Sequence, residues 1–211
     1  MTEPKTKKRF SLKRISLSSL LVLMTVFCVL VAIWASQVQP LIDQYAAMKV
    51  VKLRGGGWRA RPIEATFWQK WFLEPEAFQE VYSVNLNKAK LEEDDLPKLG
   101  ALRNLKSLYL EGSNFSDEGM GALSSIRGLE ELDLRYCSLT DAGIKRLGDK
   151  PQLRMLNLNG SDISDESIER LSSFSRLETL YIRWTRISAE GSKQLQENLP
   201  DCQVHYIGLQ D

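Results

Sequence analysis

Five consecutive stretches of this chain repeat one apolar skeleton every 24 residues, starting at Val81, Leu105, Leu129, Leu153 and Leu177, with no insertion or deletion between them. Three residues on come Val84, Leu108, Leu132, Leu156 and Leu180, and two further come Leu86, Leu110, Leu134, Leu158 and Ile182. A small residue follows (Ala89, Ser113, Cys137, Ser161, Thr185), then an apolar one (Leu91, Phe115, Leu139, Ile163, Ile187), then an acid (Glu93, Asp117, Asp141, Asp165). One such stretch arises by chance, but matching columns held in phase over five copies mark a solenoid.

The physics of one unit explains the recurrence. In the LxxLxL half, alternate residues of a short strand point to opposite faces, so Leu108 and Leu110 enter a core and Tyr109 faces outward. In the second half, Thr140 or Asp141 is placed to cap a short helix that returns Ile144 and Leu147 to the strand. Neither half buries its apolar side alone. Stacked neighbours bury it continuously, and the two ends need covers.

These residues resemble the leucine-rich-repeat family, in its short form with a Thr/Ser-Asp-x-Gly turn, the ribonuclease-inhibitor-like and cysteine-containing subclass. The segments that carry the likeness are Ser116-Asp117-Glu118-Gly119, Thr140-Asp141-Ala142-Gly143 and Ser164-Asp165-Glu166-Ser167. The resemblance spans residues 81 to about 207. It implies an α/β fold, a curved parallel sheet with short helices on the convex side, and protein-binding work on the concave surface. The expected organisation is a basic tail (1–14), a membrane helix (15–36), an aromatic-rich cap (37–80), five repeats (81–200) and a closing strand (201–211). The fifth unit departs from the pattern with Ala189 for the acid and Ser192 for an apolar residue, and Lys150 interrupts a column otherwise held by Leu102, Ile126 and Phe174.

Residues 15–36 contain no charge and are dense in Leu, Val, Ile and Phe. At about 1.5 Å per residue that length crosses the roughly 30 Å hydrocarbon core of a bilayer. A cleaved secretory signal is the alternative, but cleavage after Ser36 or Ala35 would place Trp34 or Ile33 at a subsite that takes small residues. The expectation is an uncleaved anchor. Lys5, Lys7, Lys8, Arg9, Lys13 and Arg14 precede it, whereas Lys49, Lys52 and Arg54 follow more sparsely. The positive-inside rule then leaves the N-terminus cytoplasmic and the repeats outside, and the resemblance to bacterial leucine-rich-repeat proteins implies the inner membrane of a bacterial cell. The net charge of +1 conceals a strongly basic first fourteen residues and a remainder of 22 basic against 26 acidic residues, which gives no reason to expect nucleic acid as partner.

Between anchor and repeats, Pro40 sits at the start of a helical pattern (Leu41, Tyr45, Met48, Val51) that ends at Gly55-Gly56-Gly57. Trp58, Phe67, Trp68, Trp71, Phe72 and Phe78 then crowd together as candidates to seal the first repeat's edge. The layout of Arg9-Phe10-Ser11-Leu12, anchor, glycine turn, aromatic stretch and repeats resembles bacterial membrane-anchored leucine-rich-repeat proteins.

Groups for catalysis are scarce. His205 is the sole histidine, and Cys28, Cys137 and Cys202 lie far apart, so no catalytic residue, metal site, disulfide, cofactor or small-molecule substrate is expected. Asp117, Asp141 and Asp165 read as helix-start caps rather than a metal ladder. Surface remains. Side chains between the skeletal leucines project from the concave sheet and bring together the partner-binding candidates Tyr109, Asp133, Arg135, Tyr136, Asn157, Tyr181, Arg183 and Trp184. Tyr, Trp and Arg dominate interface hot spots. The expected function is a non-enzymatic, membrane-anchored module that binds a protein or peptide; the alternative is a structural, self-associating envelope protein without a specific ligand.

Overall fold

The computed structural model describes residues 17–67, 69–71, 73–92 and 94–208. The basic tail 1–14, the first residues of the apolar stretch, Trp68, Phe72, Glu93 and the tail 209–211 lie outside the described residues. The chain divides into two compact units, Met1–Gln39 and Pro40–Asp211.

In the first unit, α1 (Leu17–Ile33) is apolar all round and passes into a π-helical turn, Trp34–Val38. Its Leu, Val and Phe side chains, from Leu20 to Ile33, are exposed. Two hydroxyls along this run are satisfied inside it: Thr25 of α1 donates to the Val22 carbonyl (2.8 Å) and Ser36 of the π-helical turn to that of Ile33 (3.2 Å). Such internal bonds suit a helix surrounded by hydrocarbon. Among the described residues the helical run Ser18–Leu53, 36 residues, is the one long and apolar enough to cross a membrane.

The second unit is a leucine-rich-repeat solenoid. It opens with α2 (Gln39–Leu53), which buries Ala47, Met48, Val50 and Val51. Next come β1 (Gly57–Pro62) and β2 (Gln79–Asn85), paired antiparallel with a register shift between Arg59 and Ala60. From β2 onward every pairing is parallel, through β3 (Ser107–Tyr109), β4 (Glu131–Asp133), β5 (Met155–Asn157), β6 (Thr179–Arg183) and β7 (Gln203–Ile207), in sequence order. Leu108 pairs with Leu132, Leu132 with Leu156, Leu156 with Leu180 and Leu180 with Val204, so the sequence period is the strand register and continues into β7. The skeletal residues Val81, Leu105, Leu129, Leu153 and Leu177 are buried in one continuous core together with Ala47, Met48 and Val51 of α2.

The first edge of the sheet is covered by the β1–β2 hairpin, which the aromatic count alone does not announce. Trp58 of β1 packs against the core and its Nε1 donates to Gln79 (3.2 Å), and Phe78 is buried. Phe67, by contrast, is 78% exposed, so the aromatic stretch is only in part a cap. Arg54 closes this end by pairing with the buried Asp95 (2.6 Å) and with Glu92 (2.7 Å).

On the other side of each coil run short helices: α3 (Asp95–Leu99), α4 (Asp117–Leu123), α5 (Asp141–Arg146), α6 (Ile168–Ser172, preceded by the 3-10 turn Asp165–Ser167) and α7 (Ala189–Asn198). Three hydroxyl N-caps behave as expected, Thr140 accepting from the Ala142 N–H, Ser164 from Glu166 and Ser188 from Gly191, whereas Ser116 before α4 donates to the Glu118 carboxylate instead. The aspartates that follow depart from the expected capping role. Each reaches into the next coil. Asp117 accepts from the Thr140 N–H (2.9 Å) and hydroxyl (2.6 Å), Asp141 from Ser164 (2.9 and 2.8 Å), and Asp165 from Ser188 (2.9 and 2.7 Å).

The small residue of the motif has the same cause. A Cβ on Gly143 would lie 2.2 Å from Asp117 Oδ1, and one on Gly191 would lie 2.2 Å from Asp165 Oδ1. Between them, Ser167 fits because its hydroxyl donates to Asp141. Although burial pushes the Asp141 carboxyl upward, the Ser167 and Ser164 donors hold it below its ordinary value. The Thr/Ser-Asp-x-Gly turn is thus a seam between coils. Ala189 breaks the motif at the start of α7.

Lys150 keeps its place in the apolar column while 2% exposed. Its ammonium donates to the Ser124 carbonyl (3.2 Å). Burial first, with Arg170 and Arg127 nearby outweighing Asp149, lowers its pKa to about 8. Cys137 fills the small-residue column and donates to the Leu110 carbonyl (3.1 Å), and burial raises its thiol pKa. All three cysteines are free.

Candidate functional site

The outer face of the sheet, opposite the helices, takes its shape from the turn that ends each strand. The residue four beyond the middle skeletal leucine is Lys88, Gly112, Tyr136, Gly160 or Trp184, and all five have left-handed backbone, with φ of 58, 61, 57, 71 and 57°. A single cause acts at each. The N–H must turn to donate to the neighbouring strand: Lys88 to Glu111 (2.7 Å), Gly112 to Arg135 (2.9 Å), Tyr136 to Asn159 (2.8 Å), Gly160 to Arg183 (2.9 Å) and Trp184 to Ile207 (2.8 Å). Glycine adopts this conformation freely, whereas an aromatic residue is strained there by about 1–2 kcal/mol.

Alternation of large and small residues lets the large ones lie down. A Cβ on Gly160 would fall 2.6 Å from Tyr136 Cδ1, so the Tyr136 ring occupies the space that glycine leaves. From there it reaches Trp184 two strands away, with ring centroids 6.5 Å apart and planes 20° from parallel. Both rings stay open to solvent, Tyr136 at 54% and Trp184 at 45%. One strand position inward, Tyr181 stacks on His205 of β7 at 4.5 Å and 9°.

The remaining candidates divide. Asp133 and Asn157 are buried, at 3% and 7% exposure, which corrects the expectation that they project from the face. Their side chains fold back, Asp133 accepting from the Arg135 N–H and Asn157 from the Asn159 N–H (both 3.2 Å), as Asx residues do in turns. Burial raises the Asp133 pKa, opposed by Arg135. Arg135 is tied to Asp133 (3.0 Å) and Glu111 (3.2 Å). Tyr109 is half-buried rather than free in water and donates to Glu131 (2.5 Å); burial, followed by that carboxylate, raises its pKa.

Arg183 is the exception among the charges. No carboxylate pairs with it among the described residues, unlike Arg135; its Nε, like those of Arg135 and Arg170, is buried without an acceptor. Its backbone N–H is held by the buried Asn159 (2.7 Å), which fixes the strand from which the side chain leaves. The structure therefore brings together Tyr136, Tyr181, Arg183 and Trp184 and removes Asp133 and Asn157.

Sequence reasoning missed His205, because the register of β7 was not legible, and the outermost column Ser107, Glu131, Met155 and Thr179, which strict alternation along each strand would have revealed. At the opposite end of the face an open cleft of about 400 Å³ lies among Trp58, Arg59, Asn85, Asn87 and Tyr109. It depends on β1 and had no sequence signal.

Repeat register, seam and sheet define a leucine-rich-repeat fold. The "Leucine Rich repeat" family model matches residues 101–124 and 128–148, within this repeat array. Among solved structures, the chain is similar to an internalin of Listeria monocytogenes, at 21% identity over 60% of this chain with a TM-score of 0.43. It is also similar to the leucine-rich-repeat ectodomain of the receptor kinase SOBIR1 of Arabidopsis thaliana (17% identity, 79% of this chain, 92% of that one, TM-score 0.49). A third likeness is to the Arabidopsis receptor kinase HAESA in complex with the peptide hormone IDA and the co-receptor SERK1 (20%, 62% of this chain, 26% of that one, TM-score 0.42). The chain spans little more than a third, 36%, of the internalin's length. No curated protein matches.

Proposed function

We propose that this chain is a membrane-anchored, non-enzymatic recognition module that holds a protein or peptide on its concave sheet outside the cytoplasm, with its N-terminus in the cytoplasm of a bacterial cell. The observation that carries the reading is the Tyr136–Trp184 pair. Two large aromatic rings stand about half exposed on strained left-handed backbone, where glycine serves at the intervening coil. Strain retained at an exposed position belongs to sites where a ligand contributes the compensating contacts. Exposed aromatic residues near the centre of an otherwise polar face are the ordinary anchors of an interface. The apolar α1, preceded by the basic tail, supplies the anchor and the orientation.

The test is a photoreactive amino acid at position 184 of the full chain, illuminated in native cells, with a probe on α5 as control. A discrete foreign protein crosslinked from position 184 and not from α5 supports the module. Self-adducts alone, or no adduct, replace it with the self-associating structural reading.

A further inference from the structure

Resting on that reading, we infer that the partner presents an extended peptide segment with a carboxylate one to three residues from an aromatic side chain, the carboxylate held by Arg183 and the ring by Tyr136 and Trp184. Three observations converge. Arg183 has no counter-ion among the described residues and its buried Nε has no acceptor. An arginine fork left in this state is completed by a planar anion that accepts two parallel N–H bonds, which a carboxylate does.

The surrounding charges select the anion. Arg135 is already neutralised by Glu111 and Asp133, and Glu131 lies on the same face bonded to Tyr109. An arginine without a carboxylate partner, adjoining the Tyr136–Trp184 pair, suits one carboxylate.

Geometry sets the spacing. Trp184 adjoins Arg183 in the chain, at about 3.8 Å between Cα atoms. Tyr136 lies two strands away, at about 10 Å. An extended peptide advances about 3.3 Å per residue, so one to three residues separate its acid from its ring. The left-handed backbone matters here, because it fixes the ring directions before the ligand arrives.

The experiment uses the full chain in detergent micelles. Wild type, Arg183→Gln and Trp184→Ala are panned in parallel against one random dodecapeptide phage library, and enriched peptides are resynthesised with each Asp or Glu changed to Asn or Gln. The expected result is a shared acid–aromatic spacing, a tenfold or greater loss for wild type when the acid is neutralised, and a similar loss for Arg183→Gln that is then indifferent to the peptide change. If Arg183→Gln does not fold, Arg183→Lys takes its place and loses the fork while keeping the charge. Enriched peptides without an acid, bound equally by wild type and Arg183→Gln but lost by Trp184→Ala, overturn the carboxylate and leave the recognition module standing. No enrichment above the starting library overturns the peptide inference, while the recognition module is decided by the crosslink from position 184.

Discussion

The Asp117–Asp141–Asp165 seam and the Lys88–Gly112–Tyr136–Gly160–Trp184 column repeat with the same period, and in both a residue of one coil leans over a small residue of the next. The resemblance ends there. In the seam each carboxylate is satisfied by two or three donors, the small residue is glycine or serine, and side-chain variety is low. In the column the backbone is strained, the large residues are exposed, and no two of them share a chemical type except the two aromatics. Closed contacts that repeat build the solenoid, whereas open contacts that vary are free to serve a partner.

The largest expected effect attacks the seam. Gly143→Val puts carbon where Asp117 Oδ1 stands, and destabilisation of about 3 kcal/mol follows from displacing a half-buried carboxylate from its donors. Near-UV circular dichroism of the detergent-solubilised chain should show melting lowered by roughly 10 °C; an unchanged melting curve would mean that the seam does not hold the coils together.

Lys150 asks whether every break in the period is functional. A buried ammonium flanked by Arg170 and Arg127, with only Asp149 and the Ser124 carbonyl to offset them, burdens the fold without serving the face. Lys150→Leu should stabilise by about 2 kcal/mol at neutral pH. The folded pKa lies below the unfolded one, so the penalty is full below about pH 8 and is relieved as pH rises from there toward 10.5. Denaturant titrations at pH 7 and pH 9.5 should show wild type gaining stability and Lys150→Leu flat over that interval.

Asp141→Asn is a gentler cut into the seam. Loss of the charge-assisted bonds from Ser164 and Ser167 should cost about 1 kcal/mol at pH 7. Because the folded carboxyl pKa is depressed, its stabilisation is complete above the ordinary value of 3.8 and disappears as pH falls through the lowered folded value. The difference between wild type and Asp141→Asn should therefore shrink in acid unfolding series.

Smallest of all is Tyr136→Gly, which relieves left-handed strain and loses one ring contact, two effects of about 1 kcal/mol each and opposite sign. Stability should move by less than about 0.5 kcal/mol while binding of any ligand selected by the wild type falls tenfold or more. A large loss of stability would reassign Tyr136 to the structural side of the comparison.

Much of the architecture was legible because burial in a solenoid is a local, periodic demand. Leu108, Leu132, Leu156 and Leu180 recur at one spacing, and the spacing itself dictates which strands meet and which side chains line the core. The site was legible only in part. Alternation placed Tyr181, Arg183 and Trp184 on the outer face, but it placed Asp133 and Asn157 there equally, and nothing in a strand pattern distinguishes a side chain that projects from one that folds back to its own turn.

The sequence by itself determined the repeat, its register, the apolar stretch and the poverty of catalytic groups, all of which follow from residue type and spacing along the chain. Only the tertiary structure decided that Asp117, Asp141 and Asp165 grip the following coil, that β1 folds back as an antiparallel cover, that His205 stacks on Tyr181, and that Tyr136 and Trp184 stand strained and open beside Arg183, which pairs with no carboxylate among the described residues. The reason is physical: these contacts join residues a full coil or more apart, so which side chains meet depends on how the coils stack and not on spacing along one strand.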